Sequence, residues 1–197
     1  MKTQILTIAI LLITLFGTTK VVNAASSKSA VITTLAGINN INKIEVHGNV
    51  ELYVSDGNTE SVKVYNQYYG ERALVENHNG VLRIASYKTE KLVVWVTSNN
   101  IASITAFDNA EIKSFGNNLS KIEFNVELHN NAIANLNLDA YSAKITLADH
   151  AKANLNGRIE EYSLIKDFAT TVNTRNLTYT HFIENKVNFN ENEIVIL

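Results

Sequence analysis

The sequence contains no cysteine and no proline in its 197 residues. Without cysteine, thiol catalysis, cysteine metal sites and disulfide bonds are all excluded, and a chain of this length can bury enough surface to fold without disulfides. Proline interrupts the hydrogen-bond ladders of a sheet, so its absence suits a protein of closely stacked strands. Both absences are compatible with an all-β domain held together by packing and backbone hydrogen bonds.

Positive charge is also scarce. The 17 Lys and Arg are outnumbered by 19 Asp and Glu, the formal net charge is −2, and the basic residues form no stripe. Such a chain is a poor partner for nucleic acid or anionic lipid. The sequence also lacks a phosphate-binding glycine loop, a Gly-x-Ser-x-Gly turn, a calcium-loop spacing and a His-Glu-x-x-His metal motif. We therefore predict no enzyme, and no catalytic, cofactor-binding or metal-binding residues.

The N-terminus has the layout of a secretory signal peptide. Lys2 is positively charged, an apolar run extends from Ile5 to Phe16, and Val22-Asn23-Ala24 ends with small residues at the −3 and −1 positions. The run is shorter than the roughly twenty residues that a membrane span needs. We predict a signal peptide over residues 1–24, a flexible leader over 25–34 and one folded domain over 35–197, with no membrane span after cleavage. An uncleaved N-terminal anchor is the alternative.

From Ile44 onward, apolar and polar residues alternate as they do in strands with one buried face. Turn signals separate the alternating segments at Gly48-Asn49, Asp56-Gly57-Asn58 and Asn77-His78-Asn79-Gly80. No helical periodicity follows the signal peptide. We predict that this first half forms hairpins or a meander that caps the rest of the fold.

A short phrase recurs between about Ile101 and Leu177: a polar pair, an alanine and a resumed alternation. Its copies are Asp108-Asn109-Ala110, Asn130-Asn131-Ala132, Asp149-His150-Ala151 and, more loosely, Asp167-Phe168-Ala169. The alanines are spaced by 22, 19 and 18 residues, a period at the low end for stacked repeats. We interpret each copy as a corner, where Asn or Asp turns the backbone and Ala keeps the bend narrow.

Repeated corners without helices predict a coiled chain. Parallel strands usually need long crossovers, which are often helical, but a coiling chain can stack each turn on the one before. We predict an all-β, right-handed β-helix-like solenoid of short stacked strands with an N-terminal strand region as its cap. Matched asparagines would form a ladder, and the expected members are Ala134-Asn135-Leu136, Ala153-Asn154-Leu155 and Arg175-Asn176-Leu177. An antiparallel sandwich with chance similarity between its loops is the alternative.

Four segments together resemble one known family. They are an Ile-x-Val-x-Gly-x-Val-x-Leu opening over residues 44–52, a Val-Lys-Val strand over 62–64, an Asn-Gly-Val-Leu-x-Ile strand over 79–84 and a Leu-Val-Val-Trp-Val strand over 92–96. These features resemble the head GIN domain, a bacterial family common in Bacteroidetes and described as an auto-transporter adhesin head. The resemblance covers about residues 35–197. It implies a β-helix-like stack of strands in the cell envelope, a role in adhesion, and no catalytic residues.

The corners depart from the family pattern, which usually reads Ser-Gly-x-Gly or Ser-Gly-x-Ala. Asn and Asp stand here instead, and they are the side chains that best tolerate the left-handed backbone conformation that Gly adopts. We therefore expect the geometry of the corners to survive the substitution.

Three groups of side chains are candidates for chemistry or binding. His129 and His150 fall near equivalent places in the repeat and could stack as a metal-binding or pH-sensitive pair, although solvated corner histidines are the simpler interpretation. Charged residues that could furnish a polysaccharide-cleaving face are Lys144, Lys152, Arg158, Lys166, Asp167 and Arg175. Tyrosines that could bind sugars or proteins are Tyr65, Tyr68, Tyr69 and Tyr87, although tyrosines also lie outward on ordinary sheets.

Taken together, these patterns predict a non-enzymatic binding or structural module that is exported to the periplasm, the cell surface or the extracellular space. Its expected partner is an envelope protein or a glycan, and not nucleic acid. A periplasmic carbohydrate- or envelope-sensing module is the first alternative, and a polysaccharide-active enzyme is the second. The apolar C-terminus, Glu193-Ile194-Val195-Ile196-Leu197, is expected either to pair back into the fold or to support a homo-oligomer.

Overall fold

The computed structural model describes residues 32–65 and 73–187, a part of the chain that forms thirteen strands and no helix. The strands are β1 (Ile32–Thr34), β2 (Lys43–Gly48), β3 (Val50–Ser55), β4 (Ser61–Tyr65), β5 (Ala73–His78), β6 (Val81–Ser86), β7 (Leu92–Thr97), β8 (Ser103–Ala106), β9 (Glu111–Ser114), β10 (Leu119–Leu128), β11 (Ile133–Leu147), β12 (Lys152–Lys166) and β13 (Thr171–Lys186). The signal peptide predicted over 1–24 and the C-terminal segment 193–197 lie outside the described residues. β1 occupies the end of the predicted leader, 25–34, and pairs antiparallel with β4.

All thirteen strands belong to one sheet. Eleven follow one another in the order β1-β4-β7-β3-β9-β11-β10-β8-β2-β6-β5, with β12 added to β11 and β13 added to β12. The path is open, and it curls at β11, whose first residues pair with β9 and whose later residues pair with β10. The all-β prediction is confirmed.

Two rows of parallel strands run through this sheet. Wall A contains β6, β2, β8 and the C-terminal parts of β10 to β13, and wall B contains β7, β3, β9 and the N-terminal parts of β11 to β13. In wall A, Val126 pairs with Ile104 and with Ile145, which are offset from it by 22 and 19 residues. These offsets equal the spacings between the first three alanines of the repeat. Parallel pairing at that period contradicts the antiparallel sandwich.

The first half of the chain, predicted to form hairpins or a meander, contains the hairpin β5–β6 but no meander. β2 and β3 do not pair with each other, because β2 lies between β6 and β8 while β3 lies between β7 and β9. The reason is visible in the turns. Asn79 and Gly80 both have positive φ, 51° and 82°, as a tight two-residue hairpin requires, and they join the antiparallel strands β5 and β6. At Gly48-Asn49 only Gly48 has positive φ, 81°, and the chain turns from wall A to wall B instead. The antiparallel strands β1, β4 and β5 lie at the two ends of the sheet path, so only they can act as the predicted cap.

The inward side chains of both walls form one hydrophobic core. Ile104 and Ile145 from wall A, and Leu52 and Ile112 from wall B, are fully buried members of the same cluster. Burying a side chain of this size stabilises a fold by about 1.5–3 kcal/mol. The alternation that predicted each strand therefore also identifies the face that supplies this stabilisation.

The repeated phrase forms the corners that lead from wall A to wall B. Asp108, Asn130 and Asp149 have φ of 62°, 58° and 60°, so the left-handed conformation expected from the substitution of Gly is confirmed. The alanines that follow in these three corners are fully buried, as expected for narrow bends.

The fourth corner is aligned differently from its prediction. The Thr170 N–H donates to the Asp167 carbonyl, as the Ala151 N–H donates to the Ala148 carbonyl. Buried Thr170, and not Ala169, therefore occupies the place of the alanines. Phe168 consequently takes the position that Asp or Asn holds in the other corners. The Asp-x-Ala match of the sequence was misleading, because Asp167 lies one residue before the turning position.

Candidate binding surface

Side chains tie successive corners together. The Gly48 N–H donates to Asp108 Oδ2 at 2.9 Å, the Asp108 N–H to Asn130 Oδ1 at 3.1 Å, and the Asn130 N–H to Asp149 Oδ2 at 2.7 Å. Each turning residue thus accepts a hydrogen bond from a backbone N–H of the corner before it. Without this bond, the N–H would need a water molecule as its partner. The corners form a continuous, hydrogen-bonded column along one edge of the two walls.

An aromatic stack lies beside this column. Phe107 is sandwiched between His47 and His129, with ring centroids 4.5 Å and 4.7 Å away and nearly parallel planes. His129 and His150, which were considered as a stacked pair beside the simpler interpretation of solvated corner histidines, do not occupy equivalent places in the repeat. The register between these corners is 19 residues, so His129 corresponds to Ala148, whereas His150 corresponds to Asn131. The two histidines therefore belong to different columns.

Wall B carries an aromatic cluster on its outer face. Trp95 stacks on Tyr53 with centroids 4.6 Å apart, and it also contacts Tyr65 at 5.8 Å and Phe115 at 4.3 Å. Because the Trp95 ring packs against three neighbours, we interpret the cluster as packing that stabilises the wall. Tyr87, after β6, is 75% exposed and is not among these ring partners of Trp95.

Sequence reasoning included Tyr65 in this group but missed its partners. Tyr68 and Tyr69 lie outside the described residues. The residues that the sequence analysis did not include are Trp95, Tyr53 and Phe115. Tyr53 and Trp95 both occupy outward positions in the alternation of their strands, and this pattern could have placed them on the same face. In the structure these two residues are register partners of β3 and β7.

A charged cluster lies next to the aromatic one. Lys113 Nζ contacts Glu51 Oε1 at 2.6 Å and Glu111 Oε1 at 2.9 Å, and Lys91 contacts Glu111 Oε2 at 3.0 Å. The hydrogen bond from Lys113 is the main reason that the pKa of Glu51 lies below its usual value. Burial raises the pKa of Glu111, but the bonds from both lysines more than offset this effect and its pKa is also lowered. These charges already satisfy one another and are poorly available to a ligand.

Asparagine ladders continue the outer face of wall B beyond the charged cluster. Asn154 Nδ2 donates to Asn135 Oδ1 at 2.8 Å, which confirms the predicted ladder for these two residues. A second ladder joins Asn156 to Asn137 at 3.2 Å. The predicted third member is misaligned: Asn173 pairs with Asn154, and a register shift in β13 then places Asn176 opposite Asn156.

A groove runs over the corner column at the border of wall B. It has a volume of about 480 Å³ and is lined by Asn109, Asn131, Ile133, His150, Lys152 and Ala169. Within the described ranges, the ammonium group of Lys152 makes no ion pair or hydrogen bond. Amide, imidazole and ammonium groups together can bind hydroxyl and carboxylate groups. This groove is the candidate binding site.

The six charged residues considered for polysaccharide cleavage are not brought together. Lys144 and Lys166 lie in wall A, Lys152 and Arg175 lie in the wall B parts of β12 and β13, Asp167 lies in the fourth corner, and Arg158 lies in the segment of β12 between the walls. Arg158 pairs with Glu160 at 3.1 Å, and Lys166 pairs with Glu184 at 3.5 Å. The described part of the chain holds no group of three His, Asp or Glu side chains that could bind a metal ion. It also holds no helix long and apolar enough to cross a membrane.

Comparison with known proteins gives one family and several similar folds. The family described as "Putative auto-transporter adhesin, head GIN domain" matches residues 40–188. A putative adhesin from Bacteroides fragilis is similar in structure, with a TM-score of 0.71, 13% identity, and coverage of 82% of this chain and 78% of that one. A putative adhesin from Parabacteroides merdae has a TM-score of 0.66, 12% identity and coverage of 81% and 78%. A putative lipid binding protein from Parabacteroides distasonis has a TM-score of 0.51, 12% identity and coverage of 80% and 78%. No curated protein matches the chain.

Proposed function

The chain belongs to the head GIN domain family, and from that membership we propose that it is an exported, non-enzymatic binding module of the bacterial cell envelope with a role in adhesion. Its ligand is a cell-surface glycan or the glycan-bearing surface of an envelope protein. The site is the groove of the corner column.

We further infer that the stacked strands form the predicted right-handed β-helix-like solenoid. Parallel pairing at offsets of 22 and 19 residues, corners of one kind and ladders of like side chains support this arrangement. In such a stack each unit contacts only its neighbours, and equivalent side chains recur at the spacing of strands, about 4.8 Å. A surface with that regular spacing suits an extended, repeating ligand.

The observation that carries the binding proposal is the free ammonium group of Lys152 in a groove built on a fixed backbone. Most charges of wall B are neutralised within the fold, as in the Glu51, Glu111 and Lys113 cluster. Among the described residues that line the groove, Lys152 is the charged side chain without an ion pair, and the groove presents it to solvent together with His150 and the amide of Asn131. A sugar carboxylate beside sugar hydroxyls would satisfy all three, so acidic glycans are the expected ligand class.

The test is binding of the purified, labelled protein to a glycan array that holds matched acidic and neutral oligosaccharides. We expect binding to the acidic members and a loss of about tenfold or more for Lys152→Ala, because a charge-assisted hydrogen bond contributes about 1.5–3 kcal/mol. Lys144→Ala removes a lysine of the same chain from wall A and is the matched control. Equal binding by both variants, or no glycan binding at all, would contradict the proposal.

A further inference from the structure

A second concave surface lies on the third face of the stack, between the two walls. This face consists of residues 119–121 of β10, 138–140 of β11 and 157–159 of β12, which pair in parallel. Its cleft has a volume of about 440 Å³ and is lined by Ser120, Asp139, Ala140, Tyr141, Arg158 and Glu160. None of these residues lines the groove around Lys152, so the two concave surfaces are separate.

An apolar platform borders this cleft. Tyr141 is 57% exposed and Ile122 is 80% exposed. The residues before and after Ile122 pair with the residues before and after Tyr141, so the two side chains lie side by side on neighbouring strands. The Tyr141 hydroxyl donates to Glu161 Oε1 at 3.2 Å, and this bond holds the ring at its polar end. The apolar part of the ring therefore remains available for stacking against a ligand.

Both hydrogen-bond acceptors and donors surround the platform. Asp139 lies two residues before Tyr141 and is exposed, and its carboxylate makes no ion pair or hydrogen bond within the described ranges. Arg158 lies opposite Asp139 in the register. Its guanidinium contacts Glu160 at 3.1 Å but is still 69% exposed, and with five N–H donors it can bind a further acceptor. Two carboxylates and one guanidinium make the lining of the cleft net negative.

We propose that this cleft is a second carbohydrate site, which binds a neutral pyranose ring. The C–H face of the sugar stacks on Tyr141, while its hydroxyl groups donate to the Asp139 carboxylate and accept from Arg158. A neutral sugar brings donors to a carboxylate that has none and adds no negative charge to a negative surface. A simple cation would use the carboxylates alone and would lie against Arg158, so it matches the lining less well.

The selectivity of this cleft is the opposite of that proposed for the groove, where Lys152 selects an acidic sugar. Methyl glycosides of glucose, galactose and mannose, each paired with its uronic acid form, test this difference. The two members of a pair differ only in a carboxylate that replaces the CH₂OH group. Each is titrated at millimolar concentration into the isotope-labelled protein, and the amide chemical shifts are followed. We expect at least one neutral glycoside to shift the amides of residues 139–141 and 158–160, and its uronic acid form to bind there about fivefold more weakly or less.

Tyrosine variants then separate stacking from general surface effects. Tyr141→Ala should weaken the binding of the neutral glycoside about tenfold, whereas Tyr141→Phe, which keeps the ring, should stay within about threefold of the original affinity. Tyr87→Ala removes another exposed tyrosine, located after β6, and is the matched control that should leave binding unchanged. Lys152→Ala should also leave it unchanged, so this site and the groove can fail independently.

Four outcomes would overturn the proposal. No neutral glycoside could shift these amides, the uronic acid forms could bind the cleft more tightly, or Tyr141→Ala could behave like Tyr87→Ala. Finally, shifts of the same amides by tetramethylammonium chloride but by no glycoside would identify a site for cations instead.

Discussion

Replacing Gly157 with alanine tests how closely neighbouring strands of the stack approach each other. Gly157 lies inside β12 with φ of 102°, opposite Leu138 of β11. An added Cβ would lie 2.1 Å from the carbonyl oxygen of Leu138 and 3.1 Å from its carbonyl carbon and nitrogen. These atoms belong to the backbone of a strand that is paired on both sides, so they cannot move independently.

The expected cost has two parts. The positive φ is unfavourable for alanine by roughly 1–2 kcal/mol, and overpacking against a fixed neighbour costs typically about 1–3 kcal/mol more. Gly116→Ala is the matched control, because Gly116 also has positive φ, 81°, but its added Cβ would meet nothing within 4 Å. The control should therefore show only the first part.

Urea unfolding followed by circular dichroism measures both variants. We expect the free energy of unfolding to fall by about 2–5 kcal/mol for Gly157→Ala and by at most about 2 kcal/mol for Gly116→Ala. In a domain of this size, each kcal/mol corresponds to a melting-temperature shift of roughly 2–4 °C. Equal losses in the two variants would refute the close approach of β11 and β12 at this position.

Three further predictions concern the corners, the N-terminal strands and the core. Asn130→Ala should lower the free energy of unfolding by about 1–2 kcal/mol, through the lost bond to a corner N–H and the strained φ of 58°, whereas Asn109→Ala in the same series of corners should have almost no effect in the same melts. Burial raises the pKa of Glu60, but the hydrogen bonds from Ser98 and two backbone N–H groups lower it further than burial raises it. The hydrogen-bonded Glu60 carboxylate therefore stabilises the fold above the pKa of the unfolded carboxyl, and this stabilisation is lost as the pH falls through the lower folded pKa. Glu60→Gln should flatten the acid limb of a stability-versus-pH curve, and an unchanged acid limb would contradict this role. Tyr162→Phe should be neutral or stabilising by up to about 1 kcal/mol in thermal melts, because the buried hydroxyl has no hydrogen-bond partner in the described structure, and a clear loss would indicate a partner for that hydroxyl.

The corners show what local sequence can and cannot predict. The left-handed conformations of Asp108, Asn130 and Asp149 follow from the chemistry of single residues, and they were correctly expected. The alignment of the fourth corner was not, because Asp167-Phe168-Ala169 resembles the phrase more closely than the residues that actually occupy its positions. The hydrogen bond within the corner, from the Thr170 N–H to the Asp167 carbonyl, defines the alignment there.

Strand positions were easier to predict than strand partners. Alternation located β2 and β3, but Gly48-Asn49 could be a hairpin turn or a corner, and the choice depends on φ at the second residue. The partners of β2 are 38 and 60 residues away, a distance over which local patterns carry no information. The same limitation applies to the groove, since Asn109, Asn131 and His150 become neighbours only through the stacking of three corners.

The most direct measurement of the central claim is a map of amide chemical-shift changes when an acidic oligosaccharide is added to the isotope-labelled protein. We expect changes centred on Asn131, His150 and Lys152, with little change in wall A, and their loss in Lys152→Ala. Changes centred on the aromatic cluster around Trp95 or on wall A, with the Lys152 region unaffected, would contradict it.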